Sequence, residues 1–315
     1  MSYLGNFSLL DAYLSARGVG WLDPSDPVTV GMDGNYVKMI YNKSVRGNPF
    51  RVRKDNIYAS SDAVHGNNCT INDYTNNKNQ QLKYVSLNGN CYLASNWDFS
   101  YENNTVYCVF RVAANGANHI NDSIIAHAND WQYCALHPSQ RSGAAGDFRG
   151  SMQYLTNSGT VEKAYHNKMS YVKTSGFIDP TVGWHLLKVK FFNGDVYYSI
   201  DNGAETISTV DYLNPDSPDW LDNKTYNLNE NIMHNKIRYR SKQNGSFNRE
   251  PSITNTTYWA QSLMLIGSNR GTAKYLKMDC GELICIPTSA DDQISNYLIN
   301  KWDIVSESNV FPEIP

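Results

Sequence analysis

No stretch of this chain comes near the roughly eighteen consecutive apolar residues that a membrane-crossing helix needs, so no membrane insertion is expected. A basic excess is missing too. The formal net charge is -3 over 315 residues, whereas a nucleic-acid binder normally carries a positive patch or tail. The short basic runs Arg51-Val52-Arg53-Lys54 and Lys236-Ile237-Arg238-Tyr239-Arg240 read as solvated strand faces or edges. Met1 to Val19 has no basic start and no continuous apolar run, so it does not read as a secretory signal. Six cysteines are too few for a disulfide scaffold at this length. They form no Cys-x-x-Cys pair and no zinc spacing. Cys280 and Cys285, the latter inside Leu283-Ile284-Cys285-Ile286, are expected as buried free thiols, while a Cys69–Cys91 link stays open.

The motifs of several chemistries are also missing. There is no Gly-x-Ser-x-Gly elbow to anchor a hydrolase triad, and the seven histidines form no His-Glu-x-x-His. The glycine-rich segment Gly143 to Gly150 lacks the phosphate-loop pattern and reads as a turn before a strand at Ser151 to Leu155. No cofactor and no metal ligand set is expected.

What the chain does have is tyrosine, 22 residues of it, and abundant asparagine. Tyrosine suits half-buried strands and asparagine suits turns. The plainest passage is Trp184 to Gly203. Trp184 to Phe192 is a strand, Asn193-Gly194-Asp195 turns it, Val196 to Ile200 returns, and Asp201-Asn202-Gly203 turns again. Thr105 to Val112 reads as a central strand. Lys83 to Leu87 and Cys91 to Ala94, separated by Asn88-Gly89, read as a hairpin. Leu263 to Gly267 reads as a buried strand, with Tyr275 to Asp279 and Gly281 to Ile286 as two more. Asp211 to Ser252 is long, polar and dotted with Pro215 and Pro218, the kind of loop that tends to carry function. Thr288 to Trp302 then changes period to helical. Ser289 is the expected N-cap, and Ile294, Tyr297, Leu298 and Trp302 form one apolar face.

This ending resembles concanavalin A-like lectin/glucanase domains of the laminin G-like or pentraxin-like type. The similarity lies in Leu265-Ile266-Gly267, then Gly281-Glu282-Leu283-Ile284, then the helix finishing Tyr297-Leu298-Ile299-Asn300-Lys301-Trp302. The meander from Trp184 resembles the same domains. The opening Gly20-Trp21-Leu22-Asp23-Pro24-Ser25-Asp26, with Lys43-Ser44-Val45-Arg46-Gly47-Asn48 after it, is similar to versions in phage and bacterial surface proteins. The resemblance implies an all-β, concanavalin A-like jelly-roll β-sandwich of two antiparallel sheets with a short C-terminal helix. It places an N-terminal arm at 1–15, the sandwich at 16–304 and a tail at 305–315. Trp21 and Trp302 are expected in the core.

Glycosidases similar to this fold carry Glu-x-Asp-x-x-Glu on one strand, so that two carboxylates flank the sugar bond. No such strand occurs here, and the expectation is therefore a protein that is not an enzyme. Pentraxin-like relatives imply loop-bound calcium, yet the segments Asp23 to Asp33 and Asp211 to Asp222 match no twelve-residue calcium loop. Sugar recognition needs aromatics beside amide and carboxylate hydrogen-bonders. Trp97, Trp131 and Trp220 have such neighbours and are the expected ligand-binding residues. The resulting expectation is a surface structural protein of a phage virion, a fibre, spike, decoration or tail component. Its expected partners are other virion proteins, further copies of itself and a host-surface glycan. The alternatives are a bacterial lectin-like adhesion module, cell-surface or secreted, and a glycan hydrolase.

Overall fold

The computed structural model of the protein describes residues 20–43, 49–53, 69–89, 91–95, 104–112, 124–128, 133–141, 144–153, 170–172, 183–192, 195–208, 219–228, 230–234, 237–252, 257–261, 263–268, 276–287 and 291–305. The expected arm at 1–15 lies outside these residues, as do all of the expected tail except Val305, the Asn193-Gly194 turn and the Ser289 cap.

The described strands run in chain order as β1 (Gly20–Leu22), β2 (Val30–Asp33), β3 (Tyr36–Ile40), β4 (Phe50–Arg53), β5 (Cys69–Thr75), β6 (Gln81–Asn88), β7 (Tyr92–Ser95) and β8 (Asn104–Val112). Then come β9 (Ile125–Ala128), β10 (Tyr133–Arg141), β11 (Ala144–Gln153), β12 (Ser170–Val172), β13 (His185–Phe192), β14 (Asp195–Ile200) and β15 (Thr206–Ser208). The last are β16 (Thr225–Tyr226), β17 (Asn231–His234), β18 (Ile237–Ser241), β19 (Ser246–Phe247), β20 (Trp259–Gln261), β21 (Leu263–Ile266) and β22 (Lys277–Pro287), followed by a helix, Asp291–Trp302.

Two large antiparallel sheets make a β-sandwich. The first has the order β15-β14-β13-β8-β22-β6-β5, with β1 added beside the C-terminal half of β22. The second has the order β12-β11-β10-β9-β21-β7-β4-β3-β2. The inner faces share one core. Val106, Cys108, Phe110 and Val112 of β8 meet Phe50, Val52, Leu93, Met264 and Ile266 from the opposite sheet. The alternate residues Tyr107 and Val109 point the other way, into a second core beneath the helix. With both faces covered, β8 is buried at every position but Arg111, which is why Thr105 to Val112 reads as central in the sequence.

The turns follow their chemistry. Asp201 and Asn202 both take left-handed backbone, with φ of 51° and 59°, and the amide of Gly203 closes the turn on the carbonyl of Ile200 at 2.8 Å. Asn88-Gly89 behaves differently from the expected hairpin. Both edges of β6 are taken, by β5 and β22, so β7 cannot pair with it. Gly89, with φ of 79°, instead lets the chain cross to the other sheet, where β7 joins β4 and β21. A Cys69–Cys91 disulfide ties this crossing, from the start of β5 to the residue before β7. Closing a loop of 22 residues contributes about 3 kcal/mol in the chain-entropy view. Cys108, Cys280 and Cys285 are buried thiols outside any disulfide.

Three further expectations change. Ala144 to Gln153 is a strand rather than a turn, paired along its length with β10. The polar stretch Asp211 to Ser252 is not a bare loop. It carries β16 paired with β19, and β17 and β18, which β20 just after the stretch extends to a three-stranded sheet, around a small core of Tyr226, Ile232, Tyr239 and Trp259. Finally, the two strands expected at Tyr275 to Asp279 and Gly281 to Ile286 are one strand, β22, with a register shift between Cys280 and Glu282.

That shift is a β-bulge at Gly281, and it determines which way Glu282 faces. Met278 and Cys280 point into the inter-sheet core before it, Leu283 and Cys285 after it. Strict alternation would have put Glu282 and Ile284 inside. The extra residue turns both toward the helix. A Cβ on Gly281 would stand 2.8 Å from the ring of Trp302. Gly281→Ala is therefore expected to destabilise the fold by about 1–3 kcal/mol as an overpacking change, read as a lowered urea midpoint at unchanged slope. A midpoint equal to wild type would show that the indole has room to move.

Candidate functional site

The outer face of the first sheet carries two different groups of polar residues. The first lies under the helix. The Glu282 carboxylate is fully buried and accepts hydrogen bonds from Trp21 Nε1 at 2.8 Å, Lys301 Nζ at 2.6 Å and Trp302 Nε1 at 3.3 Å. Asp23 adds a second carboxylate, 3.6 Å from Lys301 Nζ and 3.2 Å from Lys43 Nζ. Lys43 also stands over the Trp21 ring, 4.2 Å from its centroid. Two carboxylates are thus met by two ammonium groups. A buried charge is tolerable only when paired and hydrogen-bonded in this way. Trp21 and Trp302 are core residues, as expected. With Glu282 sealed from water, this cluster holds structure and offers no surface to a ligand.

The second group lies where the helix stops covering the sheet. Register places Asp279 of β22 between Ser86 of β6 and Arg111 of β8, and Ser86 beside Thr70 of β5. Arg111 donates to Asp279 Oδ2 from Nε at 3.1 Å and from Nη2 at 2.6 Å, and Ser86 Oγ donates to Asp279 Oδ1 at 2.6 Å. The guanidinium lies over two rings, 4.8 Å from Trp184 and 5.4 Å from Tyr84. It also reaches the Tyr84 hydroxyl at 3.4 Å. Asn72 Nδ2 donates to Thr70 Oγ1 at 3.1 Å, extending the row. Burial works against the charge on Arg111, but the Asp279 hydrogen bond and charge outweigh it and hold the guanidinium above its usual value. Thr70, Asn72, Tyr84, Ser86, Asp279 and Arg111 are all half-buried on the outer face of the sheet. The Trp184 ring is buried below them, and its Nε1 has no hydrogen-bond partner.

None of these residues is among the expected ligand-binding three. Trp97 and Trp131 lie outside the described residues. Trp220 is half-buried against the small core of Tyr226, Ile232, Tyr239 and Trp259, edge-on to His234 at 5.1 Å, with its own Nε1 unpartnered. It belongs to a different cluster from the Arg111 row. A sequence signal for that row existed: Arg111 is the one charge inside the strongest strand. Its partner Asp279 became visible only once β22 was aligned with β8.

No family profile matches the chain, and no curated protein matches it by sequence. Solved structures are similar to it at low identity. Domain 4 of AbnA, a GH43 extracellular arabinanase from Geobacillus stearothermophilus in complex with arabinotriose, has 12% identity, covering 85% of this chain and 91% of that one, at a TM-score of 0.44. The Trypanosoma rangeli sialidase in complex with sialic acid has 8% identity, covering 96% of this chain and 38% of that one, at 0.47. The binding domain of Paraclostridial Mosquitocidal Protein 1 has 11% identity, covering 90% and 52%, at 0.43. The chain thus spans well under two thirds of the sialidase and about half of the toxin chain. An arabinofuranosidase is similar as well. These enzymes among the similar structures overturn the expectation that the chain is not an enzyme. The inference from a missing Glu-x-Asp-x-x-Glu strand was too narrow, because paired acids can be brought together from separate strands, out of reach of any single-strand motif.

The buried cluster makes a direct prediction. Burial disfavours a charge on Lys301, but Glu282 and Asp23 more than offset it and hold its ammonium well above the ordinary lysine value. A base raised in the folded state binds more protons there than in the unfolded chain. Its stabilisation is full below the unfolded value of about 10.4 and is lost as pH rises beyond it. Tyr74, pushed up to about 12 by burial and by its hydrogen bond to Asp303, acts with the same sign. Urea midpoints are expected to fall above about pH 10. Lys301→Met, which strands Glu282, is expected to cost about 3–5 kcal/mol at pH 7 and to flatten that alkaline limb. A loss below about 1 kcal/mol would mean that the pair does not hold the helix.

Proposed function

We propose that the protein is a β-sandwich display module of the concanavalin A-like kind, carried on a virion surface, that contacts glycans through the open half of its outer sheet face. The observation that carries the binding part is the Arg111 row. It sets a charged fork over Trp184 and Tyr84, next to the hydroxyls of Thr70 and Ser86 and the amide of Asn72. A sugar offers hydroxyls in a ring plane and weakly polar C–H faces, and it is held by just such fixed polar groups beside aromatic surface. The framework around the row is stiff, since β8 and β22 are buried along nearly their whole length. Stiffness limits the ordering cost of binding.

Display on an exterior surface draws on separate support. The Cys69–Cys91 disulfide suits an oxidising exterior, because such bonds persist outside reducing compartments. The resemblance of Gly20 to Asp26 to phage surface proteins points the same way. Weak single sites are commonly strengthened by repetition on a particle, and copies of this chain beside other virion proteins would supply it. Among the described residues no helix is long and apolar enough to cross a membrane.

A glycan array probed with the protein is expected to return a restricted set of ligands. Tyr84→Phe, which removes only a hydroxyl, and Asn72→Ala are each expected to weaken binding by about three- to tenfold, the scale of one lost hydrogen bond, with melting temperature unchanged. Array silence, or binding indifferent to both substitutions, would remove this face from consideration.

A further inference from the structure

We infer that the outer-face row selects acidic glycans, with the carboxylate of a uronic or sialic acid-type sugar received at Arg111. This rests on the glycan-contact reading of the same face. Asp279 is the one carboxylate of the described outward positions in the open half, and both its oxygens are occupied, Oδ1 by Ser86 and Oδ2 by Arg111. The acceptors of the row are therefore largely used. The donors are not. Arg111 commits Nε and Nη2, while Nη1 has no hydrogen-bond partner among the described residues.

Charge points the same way. Lys277 lies two residues before Asp279 on β22, so it projects from the same face, and it is exposed with no ion pair among the described residues. Arg111 and Lys277 against Asp279 leave one positive charge on this half of the face. A ligand that fits must bring acceptors and preferably a negative charge. A carboxylate brings two coplanar oxygens that match the free edge of a guanidinium. A neutral sugar hydroxyl would satisfy the geometry of one donor but leave the charge unmet.

The test uses matched probes on the intact chain: sialyllactose against lactose, and oligogalacturonate against its carboxyl-reduced form, by titration calorimetry at low salt. At least one acidic probe is expected to bind about tenfold or more tightly than its neutral match, the worth of one charge-assisted hydrogen bond. Arg111→Met keeps a stem to pack on Trp184 and is expected to erase that preference. Lys277→Met, at an exposed position, is expected to reduce it by a smaller factor and serves if Arg111→Met does not fold. Neutral probes that bind as well as acidic ones, with both weakened by Tyr84→Phe, would overturn acid selection and leave the contact face standing. An acidic preference unchanged in both substituted proteins would also overturn it. No binding of any probe, together with array silence, would remove the face and the selection with it.

Discussion

The Glu282 carboxylate is sealed from water, and the rest of the outer layer is arranged around keeping it paired. The pairing joins three distant parts of the chain. Trp21 lies beyond the first strand's start, Lys301 and Trp302 lie on the last turn of the helix, and Glu282 itself sits in the middle of the longest strand. An ion in this position is not a source of net stability in the way an apolar contact is, because its dehydration cancels most of the attraction. What it supplies is uniqueness. A helix shifted by one residue along the sheet would leave a bare carboxylate in an apolar pocket, a far worse state than a slightly looser packing. The buried pair therefore selects one docking of the helix among many that hydrophobic contact alone would tolerate.

The bulge at Gly281 is the backbone counterpart of this selection. Without the extra residue the charge would face the inter-sheet core beside Met278, Cys280 and Phe110. With it, the charge faces the one place where two indoles and an ammonium are waiting. The same glycine is needed for a second reason, since Trp302 packs on its bare Cα side. Asp23 and Lys43 then extend the cluster outward to the turn after β1. The helix end and the opening motif are thus two halves of a single contact.

Much of this was legible in the residues, and what was not shares one cause. The all-β class, the central position of Thr105 to Val112, the Asp201-Asn202 turn and the apolar face of Ile294, Leu298 and Trp302 follow from local period and turn chemistry. Pairing across the chain does not. Lys83 to Leu87 and Cys91 to Ala94 have the sequence of a hairpin, with Asn88-Gly89 as its turn. They part because β22, almost two hundred residues later, occupies the edge that the hairpin would need. The Cys69–Cys91 bond, the bulge in β22 and the small sheets between Thr225 and Gln261 depend on partners in the same nonlocal way. So does the Arg111 row, whose members come from four strands. The expected tryptophans were chosen by their sequence neighbours, and sequence neighbours are not the groups that face one another across a sheet.

The two polar groups on the outer face also separate structure from function by a physical criterion. Charges that a fold needs are driven toward complete pairing, since every unpaired buried ion is costly. Around Glu282 each charged atom has its complement, and a ligand would find nothing to satisfy. The Arg111 row is chemically similar, with an arginine, a carboxylate and a tryptophan within one patch. It stops short of closure at the open guanidinium edge of Arg111. Folding alone does not use the open guanidinium edge beside a carboxylate that is already shared. Binding does, because specificity in a polar site comes from groups whose partners arrive with the ligand. The incomplete pairing, rather than the presence of aromatic side chains, is what distinguishes this half of the face from the half beneath the helix.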